Sequence, residues 1–365
     1  MTGNSRSDRK PVDVAIIGGG PAGTATALSL ARAGRTVAVF ERTCYDSVRI
    51  GETLPPRAKP LLAALGVATT LEVDGHICAP GIVTTWGNPT PHCNDFIINP
   101  YGNGWHVDRR RFDRLLMAHA RGRGVTVHEQ TAVTACEEYD AGWRVDLQND
   151  AGSTTIACRF VVDATGRRAS PLKRRAGRRV IHDQLIGIAA FTSSGTRDHR
   201  TLIEATAGGW WYSALLPGNQ HVTVYMTDAD ILNSRRNDLA GFLRREVRAA
   251  PLTRERCCGL TDLAHVVPYA AMTCSHARVH DRNWLLVGDA AMTWDPLSGQ
   301  GICKALQSGM RAARAIDRAL DGETRSLEDY AQWTHDRFGS YLQRRAKYYR
   351  AEQRWPDAPF WRRRH

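Results

Sequence analysis

The sequence has no apolar run approaching the ~18 residues that a membrane span requires. It has no CxxC pair, and its nine cysteines (44, 78, 93, 136, 158, 257, 258, 274 and 303) are odd in number and scattered. That argues against a disulfide scaffold or a structural zinc site and for reduced thiols in a cytoplasm, so no metal is expected. The first ten residues, MTGNSRSDRK, lack the apolar stretch of a signal peptide and read as a loose arm. No repeat and no low-complexity linker occurs. Acidic residues are the scarcer charge, 37 against 49 basic ones, for a net +12. Arg167–Arg179 holds seven basic residues and no acid, and Arg344–Arg364 holds eight against Glu352 and Asp357. These runs read either as a solvated face or as a face that attracts anions. Aromatics do not interleave with them as on a single-strand platform, so nucleic acid is not the expected partner.

What is present is a folded chain of about two domains, 365 residues with 42% hydrophobic and 24% charged. Val12–Ile17 is a short β-branched run that ends in Gly18–Gly20, Ala22–Ala33 has helical composition, and Arg35–Phe40 is a second strand ending at Glu41. This strand–turn–helix–strand unit carries Gly18-x-Gly20-x-x-Gly23. The first glycine allows the tight turn, the second lets backbone approach a pyrophosphate, and the third lets helix pack on strand. The helix start, with Pro21 and Ala22, then presents free N–H groups to an anion. Glu41, followed by Arg42, is placed to accept from ribose hydroxyls.

FAD and NAD both suit that unit. Three further elements favour FAD: Val107–Asp113, which opens a helix and includes Arg109; Val161–Gly166, a second strand-to-glycine turn; and Leu286–Ala291 followed by Asp295–Gly301, which opens another helix. The chain resembles the FAD-dependent monooxygenase and halogenase superfamily on these motifs. The resemblance implies an α/β fold: a glutathione-reductase-type Rossmann FAD domain with an inserted, mostly-β substrate domain and a helical C-terminal segment. It implies that Gly288 and Asp289 serve the ribityl or ribose side of the flavin. It implies that Pro296, Gly299, Gln300 and Gly301 wrap the isoalloxazine, and that Arg109 lies near the phosphates. The expected layout is an arm at 1–10, an FAD domain from 11–75, 105–180 and 275–325, a β-sheet domain from 76–104 and 181–274, and a C-terminal helix with a basic tail at 326–365.

Gly51–Glu52–Thr53–Leu54–Pro55–Pro56 resembles the GE-[AST]-x-P segment of tryptophan halogenases and their non-halogenating relatives. In the halogenases a lysine follows on a later strand, but Gly75–Gly87 contains none, and both tryptophans of the W-x-W-x-I-P box are missing from Tyr212–Pro217. Where p-hydroxybenzoate-hydroxylase-type enzymes carry a DG pair that holds FAD and NADPH, this chain has Asp163–Arg167. A separate flavin reductase is therefore an expected partner. Together with Gly209–Ser213 and the tail Arg354–Trp361, the pattern resembles the LodB-, GoxB- and QhpG-like flavoproteins that mature tryptophan-derived quinone cofactors. That implies an FAD-dependent monooxygenase that uses O2 and a flavin C4a-hydroperoxide to hydroxylate an electron-rich ring, a tryptophan side chain in a peptide or a small aromatic molecule. A tailoring hydroxylase of a free indole or phenol, a halogenase and a flavin-bearing maturation chaperone stay open as alternatives. Glu52 and Pro296 are the candidate catalytic residues, and Trp86, Trp105, Trp210, Trp211 and Tyr212 the candidate substrate-binding aromatics, each with an ordinary core role as its competitor. For His76, His92 and His106 a structural role is the stronger reading.

Overall fold

The computed structural model describes residues 11–365 apart from 68–70, 72, 73, 141, 169, 170, 194, 195, 233–236, 262 and 264. The arm at 1–10 lies outside the described residues. Among these, β-branched and aliphatic runs form an eight-stranded sheet whose central order is Trp284–Leu286, Gly152–Asp163, Val12–Ile17, Val37–Phe40 and Thr126–His128, all parallel. Ile17, Phe40, Asp163 and Leu286 end these strands side by side, with Ile17 opposite both Phe40 and Asp163. A ligand crevice belongs at such carboxyl ends. The first helix (Pro21–Arg32) packs closely on the helix Gly301–Leu320. Gly309 permits this, since a Cβ there would lie 2.4 Å from the Ala22 carbonyl oxygen.

A second, seven-stranded sheet is built from two separated parts of the chain. Its order is His265–Ala270, Leu185–Ser193, Gln220–Asp228, Gly209–Leu216, Thr201–Thr206, Gly81–Thr85 and His92–Asp95. Period-two alternation divides its side chains between two cores. One face collects Ala189, Phe191, Trp210, Ala214 and Val224, and the other collects Ile188, Ala190, Trp211 and Tyr225. The second face is covered by the helices Leu239–Glu246 and Pro251–Arg256 and their connections.

The first face is closed by the end of the chain. The 26-residue C-terminal helix (Arg325–Arg350) brings Tyr349 onto it, and the final turn Pro359–Arg362 adds Phe360 and Trp361, both fully buried. The Trp361 indole N–H donates to the Thr206 carbonyl at 2.8 Å. Beyond it, Arg364 forms a buried ion pair with Asp228 at 2.6 Å, and Arg363 pairs with Asp230. The tail is thus part of the core. Trp361→Ala is expected to cost about 3–5 kcal/mol, the usual range for emptying a buried tryptophan site, in urea unfolding. A loss below about 1 kcal/mol would show that the sheet face does not need the tail.

Candidate functional site

The first glycine turn shows what each glycine does. Gly18 has φ +105°, and a Cβ there would lie 2.5 Å from the Ala164 carbonyl oxygen; at Gly23 it would lie 2.0 Å from the Gly18 carbonyl oxygen. Gly20, by contrast, faces open space, with nothing within 4 Å of a Cβ. It is the N-cap of a helix that has Pro21 at its start, no side-chain cap and no acid in its first turn. Free N–H groups, a positive dipole end and room for an anion therefore coincide. Glu41 is buried beside this turn; its Oε2 accepts from the Gly19 N–H at 2.9 Å. Arg42 is exposed. Arg49 is the cation that reaches Glu41, at 3.4 Å, and it joins Glu41 to the buried Asp113 at 2.8 Å. Arg109 completes the network through Asp113 and donates to the carbonyls of Ile50 and Gly51 at 3.0 and 3.3 Å.

The late segment adjoins the first glycine turn, since a Cβ at Gly288 would lie 2.7 Å from the Ala22 Cβ. Asp289 is ion-paired with the buried Lys304 and with Arg167. Burial alone would raise the Asp289 carboxyl, but Lys304 and Arg167 outweigh it and hold the pKa below the ordinary value. Arg167 also donates to the carbonyls of Met272 and Trp294 at 2.9 and 3.1 Å. Pro296–Ser298 is a single tight turn, and Gly299, Gln300 and Gly301 lead into the N-terminus of the helix Gly301–Leu320, with no side-chain cap at Gln300. Gly299 and Gly301 face open space.

This loop is held from beneath by Asp295, which is 1% exposed. Its backbone N–H donates to the Tyr341 hydroxyl at 2.7 Å, and its Oδ2 accepts from the Tyr349 hydroxyl at 2.7 Å and from Arg345 Nε at 3.3 Å. Arg345 also pairs with Asp183 at 2.9 Å, and the Trp210 indole N–H donates to the Tyr349 hydroxyl at 3.2 Å. A continuous polar path therefore joins the flavin-side loop to the second sheet.

Glu52 lies at the junction of the two halves. Gly51, at φ +104°, turns the chain so that Glu52 is buried, with Oε2 accepting from the Gly51 N–H at 3.0 Å and Oε1 without a protein partner. Burial pushes its carboxyl up to about 7, only partly countered by the Gly51 and Glu52 N–H groups and Arg109. Next to it the hydroxyls of Thr53 and Tyr212 are 2.7 Å apart, and the Glu52 charge acts on both Tyr212 and Tyr269.

The structure separates the candidate aromatics. Trp210 and Tyr212 share the first sheet face, where Trp86 meets Trp210, Tyr349 and Trp361 edge-on at ring separations of 6.3, 5.5 and 5.3 Å. Trp211 is on the opposite face, packed 4.7 Å from Tyr225, because adjacent residues of a strand point to opposite sides. Trp105 packs into the core of the first sheet, with Lys59 4.8 Å over its ring. The side chains of Trp211 and Trp105 both pack into cores, although the Trp105 backbone pairs with Leu54, two residues from Glu52. His106 is a buried strut between the Leu215 carbonyl and the Thr201 hydroxyl, and burial pushes it down to about 3. His76 lies 3.2 Å from Asp74, and His92 is exposed on an edge strand. Arg49, Lys304, Arg345 and Tyr349 are site residues that the motifs did not expose. The helical spacing of Tyr341, Arg345 and Tyr349 was the available signal for the last two, since it places them on one helix face.

The donor set fits FAD: an uncapped helix N-terminus for the pyrophosphate, Glu41 beside it, and a second uncapped N-terminus behind an open glycine loop. Among the described residues no group of His, Cys, Asp and Glu side chains forms a metal site. No helix there is long and apolar enough to cross a membrane.

Comparison with known proteins agrees with this cofactor. The family model described as an FAD binding domain matches residues 11–344. The putative FAD-dependent oxidoreductase LodB of Marinomonas mediterranea is 29% identical over 363 residues, 97% of this chain and 96% of that protein. Of solved structures, the myxobacterial chondrochloren halogenase CndH matches with a TM-score of 0.90 and 25% identity, covering 98% of this chain and 86% of that one. The peptidyl tryptophan dihydroxylase QhpG, essential for tryptophylquinone cofactor biogenesis, matches with a TM-score of 0.82 and 25% identity, covering 97% and 79%.

Two expectations follow from the geometry. Glu52 titrates near about 4.3 in an unfolded chain and about 7 in the fold, so the fold favours its protonated form. That contribution is complete below the unfolded value and is lost as pH rises through the folded one. In denaturation of the cofactor-free protein, the wild type should lose about 3 kcal/mol relative to Glu52→Gln between pH 4 and pH 8. A pH-independent difference would contradict the buried assignment. Tyr349→Phe removes a donor from the buried Asp295 carboxylate and should weaken FAD binding about tenfold, read by flavin fluorescence. An unchanged Kd would show that the loop is held without that hydroxyl.

Proposed function

The chain belongs to the FAD binding domain family, and from that premise we propose that it is a monooxygenase that hydroxylates the indole of a tryptophan held in a polypeptide. The observation that carries this reading is Glu52, a buried carboxyl with one oxygen unpartnered and a pKa pushed up to about 7, at the junction of cofactor loop and substrate sheet. What FAD supplies when bound and reduced is electrophilic oxygen drawn from O2. Transfer of OH to a ring carbon leaves a proton that the ring must lose. Glu52 Oε1 accepts that proton, and a pKa near the working pH suits it to take the proton and release it again. Tyr212 and Thr53, joined at 2.7 Å, orient the ring edge beside it. The apolar sheet face, closed by Trp86, Trp210 and the tail, keeps bulk water from the reaction.

A tryptophan substrate is supported by the likeness to the peptidyl tryptophan dihydroxylase QhpG along 97% of this chain. Halogenation is favoured by the likeness to CndH, yet Gly75–Gly87 offers no lysine. The lysines nearest the junction are otherwise committed, Lys59 over Trp105 and Lys304 to Asp289. Arg167, in the position after the Asp163–Gly166 turn, is committed to Asp289 and two carbonyls. That supports delivery of electrons by a separate flavin reductase.

Incubation of the FAD-loaded protein with a flavin reductase, NADH, O2 and tryptophan-containing peptides should yield an oxygen-dependent gain of whole oxygen atoms on the peptide. Glu52→Gln should lower its rate at least 100-fold, the usual span for loss of a general base. A chloride-dependent mass gain would reverse the choice between oxygenation and halogenation. Product only from free indoles or phenols would overturn the polypeptide substrate.

A further inference from the structure

Several arginines of the basic runs are tied to carboxylates, among them Arg345 to Asp183 and Asp295, Arg354 to Glu352, and Arg363 and Arg364 to Asp228. A group of four arginines, three of them outside those runs, is not. Arg57 immediately precedes the helix Ala58–Leu65 and interacts with the Cys303 thiol in the first turn of Gly301–Leu320. Arg311 lies two turns further along that helix, its guanidinium 4.8 Å over the Trp333 ring. Arg337, on the C-terminal helix, donates to Gln307 at 3.4 Å and lies 5.7 Å over Trp294. Arg344 follows two turns later and is exposed, as are Arg57 and Arg311. Among the described residues none of the four is paired with a carboxylate, and the charges that act on Arg337 are those of Arg344, Arg57 and Arg311.

We infer that this arginine ridge docks a carboxylate-rich segment of the polypeptide that carries the target tryptophan. The inference rests on the polypeptide-substrate reading above. Like charges gathered without counter-ions are unfavourable in the free protein and become favourable against an acidic partner. Stacking on Trp294 and Trp333 holds two guanidinium planes in place, so less order is lost on binding. The forked donors match carboxylates in pairs. The ridge also begins at Trp294, the residue before the Asp295–Gly301 loop, so a segment seated on it lies beside the cofactor loop. Its four charges come from three helices, and along one of them Cys303 to Arg311 spans about 12 Å. One small anion cannot engage all of them, but an extended acidic segment can.

The test uses the full FAD-loaded chain and a fluorescein-labelled deca-glutamate peptide. Arg311→Glu with Arg344→Glu should weaken binding about tenfold at physiological salt, while FAD content and melting temperature stay unchanged. The control is Arg248→Glu with Arg254→Glu, two exposed arginines beside the far face of the seven-stranded sheet, which makes the same change in net charge and should shift Kd less than about twofold. Equal weakening by both pairs, or by neither, overturns the ridge as a site. Displacement of the peptide by inorganic phosphate at equal concentration would make it a small-anion site and overturn the docking role. Hydroxylation of a tryptophan peptide without acidic residues reads the oxygenase assignment alone, so failure there leaves the binding result standing.

Discussion

The buried carboxylate of Asp295 is the constraint from which the rest of the site takes its shape. A charge at 1% exposure is tolerated only with its lone pairs satisfied, and here a tyrosine hydroxyl, an arginine and the Leu297 N–H do so. Tyr341, Arg345 and Tyr349 recur every four residues on the C-terminal helix and so approach the loop from one side. The loop cannot shift without uncovering that charge. Because Tyr349 also accepts from Trp210, and Arg345 also pairs with Asp183, loop, helix and seven-stranded sheet are held in one arrangement. The Asp295–Gly301 loop is thus positioned by the C-terminal helix, outside the parallel sheet and its glycine turns.

The same economy governs the basic residues. The excess of arginine looks like surface charge in composition, but much of it fastens segments together. Arg49 and Arg109 converge on Asp113 under the glycine turn, Arg167 joins Asp289 to two carbonyls, and Arg364 locks the tail against Asp228. Each of these carboxylates is buried or partly buried, where an ion pair has to be complete to be tolerated. Arg57, Arg311, Arg337 and Arg344, which have no carboxylate partner among the described residues, act on one another's charge at the helices next to the Asp295–Gly301 loop.

Legibility in the sequence followed the range of the interaction. The first strand, its helix and the second strand were readable because glycine spacing and β-branched runs are local signals, and the structure places Val12–Ile17, Pro21–Arg32 and Val37–Phe40 there. That a helix opens after Asp295–Gly301 was readable too, and it runs from Gly301 to Leu320. Gly152–Asp163 is one strand although Arg159 interrupts its apolar pattern, because the ladder continues through that residue. Ala132–Tyr139 and His265–Ala270 carried too few buried residues to be seen as strands. The aromatics were the harder case. Trp210, Trp211 and Tyr212 are neighbours in sequence, and nothing local says which of the two sheet faces meets the cofactor.

The amino-acid order by itself determined that a dinucleotide would find two glycine turns and a carboxylate after the second strand, because those demands are met within a few residues of backbone. It also determined that the Asp295–Gly301 loop would open a helix, since an uninterrupted helical run starts at Gly301. Only the tertiary structure decided that Glu52 would be buried and its carboxyl raised, that Arg49 rather than Arg42 would face Glu41, and that the tail would close the substrate sheet. Burial and the choice of sheet face depend on segments far apart in the chain, as Thr53 and Tyr212 are at 159 residues, and no local pattern encodes which of them meet.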